Sequence, residues 1–196
     1  MKCNSVCVFS SSSDEVGPGY LEAAEGLGRE IARRNLTLVY GGSNLGLMGA
    51  LARAAFKGGG KIVGIIPETL HRQVPRLDAE HELVVTSDLR HRKTLMEARS
   101  DAFIALPGGF GTLEELLEII ALKQLGFHSK PIAILNVRGF YTPLIDFFDQ
   151  LFREKFVKSK HRELYRVCTD VGDVFSYLEK SGQLPNDNAG WSKAPI

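Results

Sequence analysis

Apolar and polar residues come in short blocks along this chain, and the period of the pattern changes from block to block. A β-branched and aromatic run at 6–9 (Val6, Cys7, Val8, Phe9) predicts a buried strand, closed by polar residues 10–14 and the turn Gly17-Pro18-Gly19. From 20 to 35 the apolar positions are Leu21, Ala24, Leu27 and Ile31, with Glu22, Glu25, Arg29 and Arg33 between them. That spacing predicts a helix with a charged outer face. The same reading gives strands at 37–40, 61–66, 83–86, 102–106, 131–135 and 166–169, and helices at 46–57, 88–100, 112–125, 141–156 and 171–180. The helix at 141–156 has the densest apolar stripe, Leu144, Ile145, Phe148, Leu151 and Phe152. Segment 71–81 has little periodicity and reads as a surface loop, and 181–196 reads as a polar, flexible tail.

Short apolar strands alternating with amphipathic helices imply βαβ crossovers. The expected architecture is α/β: one doubly wound domain over 1–180, with a mainly parallel sheet flanked by helices on both faces. In such folds ligands bind where the carboxyl ends of strands meet helix N-termini, so the chemistry is to be sought there.

Composition narrows the function without naming it. Lys and Arg number 24 against 23 Asp and Glu, a net charge of +1, with 44% hydrophobic residues. That balance gives no electrostatic reason to expect binding to nucleic acid or to an acidic membrane. No apolar run approaches the roughly 18–20 residues that span a bilayer, and residues 6–9 are too short for a signal-peptide core. Cys3, Cys7 and Cys168 form no CxxC and are odd in number, as expected of reduced thiols in the cytoplasm.

Two glycine-rich segments follow predicted strands. Pro107-Gly108-Gly109-Phe110-Gly111-Thr112 lets backbone amides approach an anion at a helix N-terminus, and a phosphate is its natural guest. As a bare turn, the same segment would be purely geometric. Gly41-Gly42-Ser43-Asn44-Leu45-Gly46 is a second loop of the kind, and two at one sheet edge favour a nucleotide site. The hydroxyls at 10–13 could add donors there. Absence of GxGxxG, of an acidic residue after the second strand and of GxxxxGK[ST] argues against ordinary dinucleotide and ATP sites.

Thr112-x-x-Glu115 has the spacing of a capping box, in which Glu115 would reach back to the N-cap amide. A carboxylate facing the anion loop would also be placed for acid–base work. Arg90, His91, Arg92, Lys93 and Arg99 cluster on one predicted helix and read as a solvated face or as the complement of Glu114, Glu115 and Glu118. On such a face, truncating Arg92 is expected to cost little stability. The five histidines have no metal-ligand spacing, and no GxSxG elbow is present.

Taken in order, Tyr40-Gly41-Gly42, Gly46-Leu47-Met48-Gly49, Arg92-Lys93, Ser100-Asp101-Ala102 and Pro107 to Glu115 resemble the LOG family of cytokinin riboside 5′-monophosphate phosphoribohydrolases, earlier described as lysine decarboxylases. The resemblance runs from about Val6 to about Tyr177. It implies a Rossmann-like fold, a cytoplasmic homodimer or larger assembly, and neither metal nor redox cofactor. The implied reaction is hydrolysis of the N-glycosidic bond of (N6-substituted) adenosine 5′-monophosphate, giving the free base and ribose 5-phosphate. The resemblance carries the catalytic pair to Arg92 and Glu115, and substrate binding to Lys93, Gly108, Gly109, Phe110, Gly111, Thr112, Leu113 and Glu114. Ser12, Ser13, Gly41, Gly42 and Met48 complete the expected binding set.

Four departures stand against the family pattern. Ser10-Ser11-Ser12-Ser13 replaces Cys-Gly-Ser-Ser, and Ser43 replaces a glycine. Val74 stands where plant relatives place a substrate-contacting Glu, with Asp78 or Glu80 as substitutes on a shifted alignment. Ala121-Leu122-Lys123 replaces Thr-Trp-Ala. The competing reading is a non-catalytic nucleotide or cofactor carrier, as in molybdenum-cofactor carrier proteins; the presence of both Arg92 and Glu115 favours the enzyme. A decarboxylase has less support, because no lysine has the sequence context of a pyridoxal-phosphate site.

Overall fold

The computed structural model describes residues 3–75, 77 and 81–181. The strands are β1 (Ser5–Phe9), β2 (Thr37–Tyr40), β3 (Lys61–Pro67), β4 (Glu82–Thr86), β5 (Ala102–Ala105), β6 (Ile132–Leu135) and β7 (Arg166–Cys168). They form one sheet in the order β4-β3-β2-β1-β5-β6-β7, and every pairing is parallel. The chain steps outward from β1 to β4, then returns to the far side of β1 and steps outward again. The strand order therefore reverses between β1 and β5, the crevice where open parallel sheets receive their ligands.

The helices are α1 (Pro18–Arg33), α2 (Gly46–Lys57), α3 (Glu68–His71), α4 (Leu89–Ala98), α5 (Phe110–Gln124), α6 (Thr142–Arg153) and α7 (Val171–Ser181). Side chains alternate along β1: Val6 and Val8 join the core under α1, α2 and α7, while Cys7 and Phe9 join the core under α4, α5 and α6. Burial on both faces explains why the strands read as continuous apolar runs. Among the described residues no helix is long and apolar enough to cross a membrane.

Three short elements escape the sequence pattern. Residue 71 ends a single helical turn, α3, held in part by the exposed pair Arg72–Glu68 (2.8 Å), where the sequence reads as loop. Two 3₁₀ segments, Val137–Gly139 and Ser159–Leu164, are likewise too short to show a period. Of the tail expected from 181, Ser181 ends α7, and residues 182–196 lie outside the described residues.

Candidate active site

Three loops meet at the carboxyl edge of the sheet beside the β1–β5 crevice. Ser11 N donates to Pro107 O (3.2 Å), joining the loop after β1 to the glycine loop after β5. Met48 N donates to Ser11 O (3.1 Å), and Gly46 N donates to the Asp14 carboxylate (2.7 Å), joining the first loop to the start of α2. Gly46 has φ +54, and a Cβ there would lie 2.5 Å from Ser13 O, so this junction needs glycine. Asp14 had no signal in the sequence beyond its place in a polar run.

The glycine loop divides its labour. A Cβ on Gly108 would overlap the Thr112 hydroxyl, so Gly108 is required for the loop to close on its own helix. Gly109 and Gly111 have negative or extended φ and nothing within 4 Å of where a Cβ would sit. Nothing inside the chain demands glycine at either position. Their bare backbone faces open space at the N-terminus of α5, where unpaired amides and the helix dipole favour an anion. Phe110 between them is 93% exposed.

The capping box expected at Thr112 and Glu115 does not form. Helix α5 starts at Phe110 with Gly109 as N-cap and no side-chain cap. Thr112 is already inside the first turn and buried, and Glu115 lies one turn further on. Its carboxylate turns to Arg92 instead.

Arg92 is not on a solvated face either. Helix α4 is capped by Asp88, whose carboxylate accepts from Arg90 N (2.8 Å) and His91 N (2.9 Å). That start puts Arg92 and Met96, one turn apart, on the core side of the helix. Arg92 Nε donates to Ile65 O (3.0 Å) and Nη1 donates to Glu115 Oε1 (2.7 Å). Its other terminal nitrogen lies against Gly41, where a Cβ would run into it and into Met48 Sδ. Arg92 thus connects the ends of β2 and β3 to α5. Burial pushes the Glu115 carboxyl above the usual glutamate range, and the Arg92 guanidinium opposes that shift.

Lys93 lies beside this pair and bridges α4 to α5 through Glu114 and Glu118, the latter at 2.9 Å. Burial works against its charge, but the two carboxylates outweigh it and raise its pKa. The basic cluster is therefore split: Arg92 and Lys93 complement the acidic residues of α5, Arg99 pairs with Glu82 (2.6 Å), and Arg90 and His91 are exposed.

The remaining expected residues fall around this centre. Ser12 and Ser13 are exposed, while Gly41 and Gly42 are buried and Met48 is half-buried at the start of α2. Leu113 is half-buried and Glu114 exposed on α5. Ser10 is buried with its hydroxyl unpartnered, and the Ser43 hydroxyl accepts from Leu45 N (3.2 Å). Val74 follows α3 and Ala121 is exposed on α5, whereas Asp78 and Glu80 lie outside the described residues. Among the described residues no group of three His, Cys, Asp or Glu side chains could hold a metal ion.

Comparison with known proteins gives consistent results. A family model described as "Possible lysine decarboxylase" matches residues 48–178. A cytokinin riboside 5′-monophosphate phosphoribohydrolase of Arabidopsis thaliana is 45% identical over 179 residues, covering 91% of this chain and 83% of the relative. A probable enzyme of the same name from Oryza sativa subsp. japonica is 44% identical over 175 residues, covering 89% and 72%. Among solved structures, the molybdenum cofactor carrier protein of Chlamydomonas reinhardtii superposes with a TM-score of 0.69 at 24% identity, covering 92% of this chain and 98% of that one. DNA processing protein A of Helicobacter pylori superposes with a TM-score of 0.57 at 16% identity, covering 90% and 80%. These last two likenesses are of fold alone.

Proposed function

This chain belongs to the LOG family of cytokinin riboside 5′-monophosphate phosphoribohydrolases, and from that premise we propose that it hydrolyses the N-glycosidic bond of (N6-substituted) adenosine 5′-monophosphate. The observation that carries the reading is the buried Arg92–Glu115 pair beside a glycine loop whose open backbone serves nothing inside the chain.

In this reading the amides of 109–112 and the α5 dipole hold the 5′-phosphate, with the Lys93 ammonium and the hydroxyls of Ser12 and Ser13 around it, while Glu114 holds Lys93. Glu115 lies one turn along α5 from that anchor, where a carboxylate steadies positive charge on the sugar as the C1′–N9 bond loosens. It also orients and deprotonates water. The water oxygen bonds C1′, the C1′–N9 electron pair leaves with the base, and one proton of the water ends on the base. Arg92 keeps Glu115 ionised against the cost of its burial and fixes its rotamer.

We also propose a homodimer. Exposed large apolar side chains gather on the layer of α4, α5 and α6: Phe110, Leu117, Leu125, Phe127, Phe147 and Phe156. On α1, α2 and α7, Phe56 alone among the described residues is an exposed large hydrophobic. An apolar face of that extent suits a second copy of the chain.

The reading is tested by comparing AMP with adenosine. Turnover should require the phosphate, so free adenine should form from AMP and barely at all from adenosine. Comparable rates on both would remove the phosphate anchor from the account.

A further inference from the structure

The two strands that frame the crevice fall out of step just before the glycine loop. β1 and β5 pair Val8 with Ile104 and Phe9 with Ala105. A regular parallel ladder would next set Ser10 opposite Leu106, with Leu106 N donating to Phe9 O and Ser11 N donating to Leu106 O. The first of these bonds is made, at 2.9 Å, but Ser11 N donates to Pro107 O instead, at 3.2 Å. The chain leaving β5 therefore carries one extra residue here, as at a bulge, and the Leu106 carbonyl is turned out of the ladder.

A buried carbonyl needs a donor, and Leu106 is fully buried. Its donor is the Tyr141 hydroxyl, 2.7 Å away. Tyr141 is the N-cap residue of α6 and is only 1% exposed. Its own N donates to Asn136 Oδ1 (2.7 Å), and Asn136 Nδ2 donates to Thr142 Oγ1 (3.2 Å). The Phe140 ring meets the Tyr141 ring edge-on, with centroids 5.0 Å apart. Backbone and ring are thus both held, and the hydroxyl is aimed at one carbonyl. Burial raises the pKa of the phenol, which keeps it a donor at neutral pH.

Gly109 and Gly111 have nothing within 4 Å of where a Cβ would sit, so the cradle they form is positioned from its root. That root is the Leu106-Pro107 step. We propose that Tyr141 is a positioning residue for the phosphate cradle: by holding Leu106 O out of the ladder, it sets where the amides of 109–112 stand. The proposal rests on the nucleotide reading above, and in it Tyr141 touches no part of the substrate. Without the hydroxyl, Leu106 O is orphaned, and Ser11 N is the ladder amide that can take it. That exchange restores the regular ladder and draws Pro107 and Gly108 back from the phosphate.

The experiment compares Tyr141→Phe, which removes the hydroxyl and keeps the ring, with the wild type. It measures KM and kcat for AMP and, by calorimetry, the Kd of inorganic phosphate. Neither KM nor Kd depends on the fraction of the protein that is folded. The expected result is a rise of about tenfold in both, with kcat within about threefold of wild type, the pattern of lost binding that ground and transition states share. KM and Kd both within about twofold of wild type, whatever the loss of thermal stability, overturn the positioning role and leave the nucleotide reading standing. If Tyr141→Phe does not fold, Asn136→Ala, which removes the acceptor of the Tyr141 amide, decides: a rise of about threefold or more in both supports the role, and unchanged values overturn it. A wild type that releases no base from AMP overturns the nucleotide reading, and the phosphate Kd alone then decides the positioning role.

Discussion

Arg92 Nη1 lies 2.7 Å from Glu115 Oε1, a contact between residues 23 positions apart whose side chains are only 9% and 6% exposed. Such a pair contributes to stability asymmetrically. Its formation gains little over apolar packing, but removing one member leaves a buried charge without a partner. Arg92→Ala should therefore destabilise the protein by about 3–5 kcal/mol, well beyond the cost of trimming a surface arginine. Urea denaturation measures this, and adding Glu115→Gln to Arg92→Ala should restore part of the loss, because the orphaned charge is then gone.

The same variant has a signed pH dependence. Without Arg92, burial alone acts on Glu115, and its folded pKa rises further above the unfolded value. The folded state then holds the proton more tightly than the unfolded state does. Stability is retained below the unfolded pKa of about 4.3 and is lost as pH rises through the raised folded value. The gap between Arg92→Ala and wild type should be wide at pH 8 and narrow near pH 5. A gap independent of pH would mean that Glu115 is not the group left exposed to the penalty.

Activity should show the matching limb. Glu115 acts ionised, and its pKa lies above the usual glutamate range. The acid side of the kcat profile should therefore fall off at a pH above about 4.3. Glu115→Gln keeps an acceptor for Arg92 but can neither ionise nor take a proton, and kcat should drop by roughly two orders of magnitude or more.

Gly108 and Gly111 should separate folding from binding. Gly111→Ala meets no atom within 4 Å and lies in the first turn of α5, so stability should be unchanged or rise by about 0.4–1 kcal/mol. The added methyl projects into the space assigned to the phosphate, and KM for AMP should rise at least tenfold. Gly108→Ala runs into Thr112 and should cost roughly 1–3 kcal/mol. Thermal melts alongside AMP kinetics check both.

The assembly is open to a direct mass measurement. A homodimer predicts a species of twice 21.6 kDa in sedimentation or light scattering. Leu117→Glu combined with Phe127→Glu, both on the apolar layer, should return it to 21.6 kDa without unfolding it.

Much of the fold was legible because strands buried on both faces write themselves as apolar runs, and the helices between them keep a 3.6-residue stripe. The two glycine loops were legible as well, since a strand-to-helix junction rich in glycine has few other uses. The centre of the site was only half so. Thr112-x-x-Glu115 has the spacing of a capping box, and nothing local reveals that the helix begins two residues earlier at Phe110. The true partner of Glu115 comes from another βα unit, which spacing along one helix cannot disclose. Arg92 looked like one cation among five. The available signal was its place one turn before Met96, which puts both on the inward face of α4.

The central claim is that the site cleaves a nucleotide and does not merely hold one. The most direct measurement is to incubate the protein with N6-isopentenyladenosine 5′-monophosphate and follow free base and ribose 5-phosphate by chromatography, with Glu115→Gln alongside. The account predicts equimolar release of both products by the wild type and a rate at least about a hundredfold lower for Glu115→Gln. Nucleotide that binds but is recovered intact from the wild type would contradict it and leave a carrier.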